Sequence, residues 1–179
     1  MVHEIRNRRS TRKFNSQVVE DEKILPLIEA ACLAPSGSNT QPWRFMIVKN
    51  QETKEEIARA NHNQRWLKEA PIHIVCIADV RCRIKDERDV FIDESSDLFE
   101  VKQIIRDTAI ATGYLLLEAE SMGLSTCWTA WFKQKDIREI LGIPDDKFVV
   151  GVVAVGYSDV TRKPTPRMAV TDVLTYEGW

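Results

Sequence analysis

Residues 98–122 read as one long helix that is apolar on most of its sides. Ile104, Ile105, Ala109, Ile110, Thr112, Leu115, Leu116, Leu117 and Ala119 are spread around it rather than lined along one stripe. Such a helix is buried almost all round. Asp97 followed by Glu100 marks its start and Gly123 its end. A chain of 179 residues has trouble covering every side of it alone. The simplest remedy is a second copy against one face, in an isologous dimer.

The other elements are arranged around that helix. Asp21 caps a helix over residues 22–33, with Ile24, Leu25, Ile28, Ala31 and Cys32 near one face and Pro26 close to its first turn. Residues 43–48 alternate as a strand, 53–60 read as a charged surface helix, and 64–69 as a further turn or two. The β-branched content of 71–78 predicts a buried strand. Strand, helix and strand follow over 124–132, 134–141 and 148–157. Residues 81–97 are highly charged and without a clear period, a long loop or lid of the kind that tends to carry function. From Lys163 the chain is broken by prolines and extended, ending in Tyr176 and Trp179. The length suits one domain over residues 1–179. Connections this irregular argue against a doubly wound parallel sheet and for an α+β arrangement, one mixed sheet flanked by helices.

The formal net charge of −2 and a pI near 6.0 remove any whole-chain case for nucleic-acid binding. No apolar run approaches the roughly 20 residues that span a bilayer. The basic N-terminal stretch is followed by no apolar h-region, and Glu4, Asp21 and Glu22 interrupt an Arg-rich presequence pattern, so a cytoplasmic protein is expected. Cys32, Cys76, Cys82 and Cys127 form no CxxC pair. Three lie in apolar surroundings, and Cys82 sits between Arg81 and Arg83, which suits either a surface thiol or one of lowered pKa. A reducing compartment follows more naturally than a disulfide framework.

Several chemistries lack their motifs. The seven glycines never fall as GxGxxG or GxxxxGK[ST]. His3, His62 and His73 are scattered without metal-ligand spacing, and there is no GxSxG elbow. If the chain is an enzyme, with no dedicated catalytic side chain and no metal site to read, a bound cofactor is expected to carry the reactive atom. Two polar clusters suit one. Ala34-Pro35-Ser36-Gly37-Ser38-Asn39-Thr40-Gln41-Pro42-Trp43 offers backbone N–H groups and short polar side chains with little bulk against a flat ligand. Arg8-Arg9-Ser10-Thr11-Arg12 supplies cations and a hydroxyl suited to a phosphate. Each alone also reads as an ordinary solvated loop or charge run.

Their order along the chain resembles the FMN-dependent nitroreductase family. That family opens with R-R-S-x-R-x-F/Y, matched by Arg8 to Phe14, and continues with A-P-S-x-x-N-x-Q-P-W, matched by Ala34 to Trp43. Asn63-Gln64, Ala70-Pro71, the run Gly123-Leu124-Ser125-Thr126-Cys127-Trp128, the pair Gly156-Tyr157 and a last arginine, Arg167, follow in family order. The resemblance implies a mainly antiparallel sheet and a domain-entwined homodimer. It places Arg8, Arg167 and Lys163 on the FMN phosphate, and Ser10 and the Arg9 backbone on the phosphate or ribityl region. Arg12 comes near the flavin N1/O2 edge, where a fixed cation stabilises the anionic reduced ring. Pro35, Ser36, Gly37, Ser38 and Asn39 reach the ring from the partner subunit, and Asn63 with Gln64 the pyrimidine edge. Where many members carry Gly-Gly before a Phe, this chain has Ala130-Trp131-Phe132. A backbone N–H there still suits the flavin, while the Trp131 indole either narrows the space above the ring or only packs.

The activity so implied is ping-pong hydride transfer, with flavin N5 as the reactive atom. The reductant is NADH or NADPH, and the acceptor a nitroaromatic, quinone or similar flat electron-poor compound. Two rivals stay open: a dehalogenase or flavin-cleaving enzyme on the same scaffold, and a flavin-binding module without turnover.

Overall fold

The computed structural model describes residues 1–86, 89–161 and 163–179. Eleven labelled elements position the site. They are α1 (His3–Asn7), α2 (Asp21–Cys32), β1 (Trp43–Val48), α3 (Gln51–Ala60), α4 (Arg65–Glu69), β2 (Ile72–Asp79), α5 (Phe99–Ser121), β3 (Ser125–Thr129), α6 (Gln134–Leu141), β4 (Lys147–Gly156) and α7 (Val170–Val173). The four strands form one sheet in the order β1-β2-β4-β3, every pair antiparallel. A parallel bridge between Ser10 and Thr126 lays the N-terminal segment along the β3 edge and gives the sheet its mixed character.

Strand periodicity sorts the side chains to two faces. Ile72, Ile74, Cys76, Val153 and Val155 pack with Leu27 and Ala31 of α2 and Ala111, Leu115 and Ala119 of α5. Val75, Ile77, Val152 and Ala154 pack with Ile57 and Ala58 of α3, Trp66 and Leu67 of α4 and Ile137 of α6. A bulge after Cys76 interrupts the alternation. Cys76 faces Gly151, Ile77 faces Val149, and the surplus Val150 turns to a third cluster with Val101 and Ile104. Gly151 is required there because a Cβ would lie 1.8 Å from Trp128 Nε1.

Element ends differ from expectation in instructive ways. α2 starts one residue earlier, with Glu20 rather than Asp21 outside it. α5 begins at Phe99 with Leu98 at its cap position, so Asp97 plays no capping part. β3 stops at Thr129 instead of running to residue 132, and Ala130 and Trp131 are exposed beyond the sheet. The short helices α1 and α7 were not anticipated, since neither has a buried residue to give it a period. Cys32 is exposed, not part of the core. Burial pushes the Cys82 thiol up, against the lowered value that flanking arginines suggested.

α5 buries Val101, Ile104, Thr108, Ala111, Thr112, Leu115, Leu116 and Ala119, but Ile110 and Tyr114 stay exposed one turn apart. The helix therefore presents one apolar face that this chain does not cover. Within 81–97 the packing is firmer than its charge suggested. Ile84 and Ile92 are buried, Arg138 Nη1 donates to the Ile92 carbonyl at 2.5 Å, and Ile92 N–H donates to the Asp145 carbonyl at 3.0 Å. Glu87 and Arg88 of that segment lie outside the described residues. Among the described residues, no helix is long and apolar enough to cross a membrane.

Candidate functional site

The N-terminal segment and the tail meet beside β3. Arg8, Arg9, Ser10 and Arg12 from one end of the chain, and Lys163, Thr165 and Arg167 from the other, line a cavity of about 490 Å³. Thr11 N–H donates to the Thr126 carbonyl at 2.8 Å, which fixes the first group against the sheet edge. Arg9 is spoken for, since its Nη1 donates to the carbonyls of Arg6 and Arg8 at 2.7 and 2.8 Å and ties off α1. Its backbone remains at the cavity. Among the described residues, the side chains of Arg8, Arg12 and Lys163 make no ion pair with a carboxylate, and Arg167 touches only the Pro166 carbonyl, at 3.4 Å. Cations gathered in this way, beside two hydroxyls, are a donor set that suits a phosphate.

A second surface continues from this recess. The Arg12 guanidinium stands 5.9 Å from the Trp66 ring, and Trp66 Nε1 donates to Gln64 Oε1 at 2.9 Å. Gln64 Nε2 donates to Thr129 Oγ1 at 3.2 Å, so both ends of the Gln64 amide are engaged inside the protein. Asn63 next to it has a left-handed backbone, φ 56°, at the tip of the turn. The Thr129 hydroxyl donates to Asn61 Oδ1 at 3.0 Å and accepts from Trp131 N–H at 3.4 Å. Trp131 is 62% exposed, and its indole stacks on the His62 imidazole with centroids 4.0 Å apart. The sequence singled out Trp131 but not His62, a lone histidine in a polar turn with no motif around it. Thr129 and Asn61 were missed too, because burial of a single hydroxyl and a single amide leaves no periodic trace.

Pro35, Ser36, Gly37, Ser38 and Asn39 lie elsewhere. Their loop opens β1, where Asp79 N–H donates to the Pro42 carbonyl at 2.8 Å, at the far end of β2. Ser38, Asn39 and Gln41 all have left-handed backbones, φ 54°, 53° and 47°. The loop is pinned by Gln41 N–H to Ser36 Oγ at 3.0 Å, Gly37 N–H to Asp107 Oδ2 at 3.2 Å and Arg83 Nη2 to the Gly37 carbonyl at 3.1 Å. Thr126 is in register with Val155 and Ile72, whereas Trp43 is in register with Ala78. The recess and the loop thus occupy diagonal corners of the sheet, three strand spacings and six residues apart, or roughly 25 Å. The structure brings together Arg8, Arg9, Ser10, Arg12, Lys163 and Arg167, and next to them Asn63, Gln64, Ala130 and Trp131. It does not bring Pro35 to Asn39 to them within one chain.

A cationic recess beside amide, hydroxyl and indole groups has the chemistry that suits a phosphorylated planar ring. Comparison with known proteins agrees with that class: residues 5–157 match the Nitroreductase family, and the chain belongs to it. It is 27% identical to the FMN reductase [NAD(P)H] of Bacillus subtilis, an alignment covering 98% of this chain and 74% of that one. A nitroreductase family protein from Clostridium novyi is 31% identical, with a TM-score of 0.74 over 87% of this chain and 84% of its own. The NADPH:FMN oxidoreductase of Vibrio harveyi, solved with NAD+, is 26% identical, with a TM-score of 0.87 over 98% and 76%.

Proposed function

We infer that this chain is an FMN-dependent NAD(P)H oxidoreductase, and we propose that it reduces flat electron-poor acceptors, nitroaromatics or quinones, in a ping-pong cycle. The observation that carries the reading is the recess itself. Cations from opposite ends of the sequence converge, without carboxylate partners among the described residues, on a surface that continues to Thr129 and Trp131.

The residues present fit FMN. Arg8, Lys163 and Arg167 would hold its phosphate, with Ser10, the Arg9 backbone and Thr165 supplying hydrogen bonds. Each charge-assisted contact is worth roughly 1.5–3 kcal/mol before ordering costs. Arg12 would stand at the pyrimidine edge and stabilise negative charge there, and the Ala130 and Trp131 backbone would meet the ring. When bound, FMN supplies the two-electron carrier between nicotinamide and acceptor. The protein contributes alignment and fixed charge rather than a dedicated acid or base. No nicotinamide domain is needed, because donor and acceptor use the same place in turn.

A homodimer completes the site. The loop 35–39 is diagonal to its own recess, so a two-fold partner is the source of the loop that each recess lacks. Ile110 and Tyr114 on α5, and Met168, Val170, Val173, Tyr176 and Trp179 in the tail, are exposed apolar groups that a second copy would cover. Anaerobic addition of NADH or NADPH to the FMN-loaded protein tests the reading. Rapid bleaching of the visible flavin band is expected, followed by recovery on adding a quinone. A protein that binds FMN but never bleaches would be a binding module instead.

A further inference from the structure

We propose that the stacked His62–Trp131 pair is the specificity-determining wall of the acceptor site, and that the Thr129 hydroxyl is the positioning group that holds it in register. The proposal rests on the oxidoreductase reading above and adds to it the residues that choose the acceptor.

The indole has two faces. One lies on the imidazole, centroids 4.0 Å apart and planes inclined by 28°. With 62% of Trp131 exposed, much of the ring is left to solvent, one residue beyond Ala130 at the proposed flavin contact. An electron-rich indole offered in this way favours a planar ring whose density has been withdrawn by nitro or quinone groups. A ring held by a neighbour is also a rigid boundary, so it sets the width available to an acceptor as well as attracting it.

Nothing in the exposed pair would keep it in place unaided. His62 and Asn63 both have left-handed backbones, φ 57° and 56°, a conformation that non-glycine residues hold only when their surroundings impose it. Thr129 imposes it. Its hydroxyl, 8% exposed with its residue, donates to Asn61 Oδ1 and accepts from Gln64 Nε2 and from Trp131 N–H. One donor and two acceptor positions exhaust what a hydroxyl has. Asn61 is fully buried, and its Nδ2 donates to the Ile57 carbonyl at 2.8 Å, so the turn is tied to the end of α3. A single buried oxygen therefore links the start of the His62 turn, its end, and the backbone of Trp131.

Two measurements test this on the whole protein. The chain has three histidines, so the imidazole proton resonances are few enough to assign. In the wild type the His62 Cε1 proton is expected upfield, in the ring current of Trp131. That displacement disappears in Trp131→Ala and in Thr129→Val, and returns in Thr129→Ser, which keeps the hydroxyl. Calorimetric titration of oxidised FMN-loaded protein, without reductant, then reads acceptor binding with 4-nitrobenzoate and 9,10-anthraquinone-2-sulfonate. His62→Ala and Thr129→Val weaken 4-nitrobenzoate about three- to tenfold, whereas Trp131→Ala weakens it and favours the three-ring probe. An unshifted His62 resonance, or dissociation constants unmoved in FMN-replete variants, overturns the wall. Wild-type protein that takes up no FMN overturns the oxidoreductase reading itself, a result read before any probe is added.

Discussion

The recess of Arg8, Arg12, Lys163 and Arg167 and the loop from Pro35 to Asn39 are built on opposite plans. The recess is a gathering of long cationic side chains that, among the described residues, have no carboxylate partners, so its character is set by charge. The loop is pinned through Ser36, Asp107 and Arg83, which hold left-handed residues at Ser38, Asn39 and, just beyond it, Gln41. In the proposed site one region would bind by attraction, the other by fixed shape. In the proposed dimer each flavin meets one of each kind, from different subunits.

The largest effect tests that division directly. Arg8→Ala with Arg167→Ala removes two charge-assisted contacts and should weaken FMN binding by two to four orders of magnitude, measured by flavin fluorescence titration. Gly37→Phe should damage the loop by bulk instead, since a side chain there displaces the Arg83 guanidinium that donates to the Gly37 carbonyl. Mixing the two variants under conditions that exchange subunits sharpens the comparison. If recess and loop of one site come from different chains, each mixed dimer regains one intact site, about a quarter of all sites in a random mixture. If a single chain supplied both, every site would carry a lesion and mixing would restore nothing.

How much of this was legible beforehand follows from the physics of each part. The β2 and β4 strands announced themselves through β-branched runs, and α6 was placed to the residue because Ile137, Ile140 and Leu141 give it a face. The grouping of Arg8, Arg12, Lys163 and Arg167 in one recess followed from the family order of the motifs, since a charge run by itself also reads as a solvated stretch. The Thr129 hub was not, since its meaning lies in three hydrogen bonds to residues that are near it only after folding. Gln64 shows the converse. Its amide was expected to be offered to a ligand, and the fold engages both ends of it with Trp66 and Thr129. The extent of β3 was overrun because Ala130-Trp131-Phe132 continues its apolar content past the last ladder residue, Thr129.

A pH experiment separates binding from folding. His73 is fully buried, with one ring nitrogen 2.8 Å from the Leu67 carbonyl and Nδ1 without a partner among the described residues. Desolvation lowers its pKa from 6.5 to about 4. The folded protein therefore keeps it neutral where the unfolded chain takes up a proton. Stability is complete above about pH 6.5 and falls as the pH drops towards 4, by roughly 3 kcal/mol in total. His73→Gln should flatten that slope in urea melts while keeping a donor for Leu67. A phosphate monoester also titrates in this range, near pH 6. Loss of FMN that persists in His73→Gln at low pH thus belongs to the phosphate, and loss that vanishes belongs to unfolding. A wild-type stability flat from pH 7 to 4 would contradict the neutral buried imidazole.

The smallest effect closes the contrast between attraction and shape. Ser36→Ala removes the hydroxyl that accepts from Gln41 N–H and releases a left-handed residue, at a cost of about 1 kcal/mol in a thermal or chemical melt of the FMN-free protein. Arg8→Ala, in the same melt, removes a side chain with no carboxylate partner among the described residues and should leave the midpoint where it was or raise it slightly, as mutual repulsion among the recess cations is relieved. FMN titration should reverse the order, with Arg8→Ala the more damaging. If Arg8→Ala proves the less stable protein, the recess is part of the fold's own support, and the division between a charged half and a shaped half no longer holds.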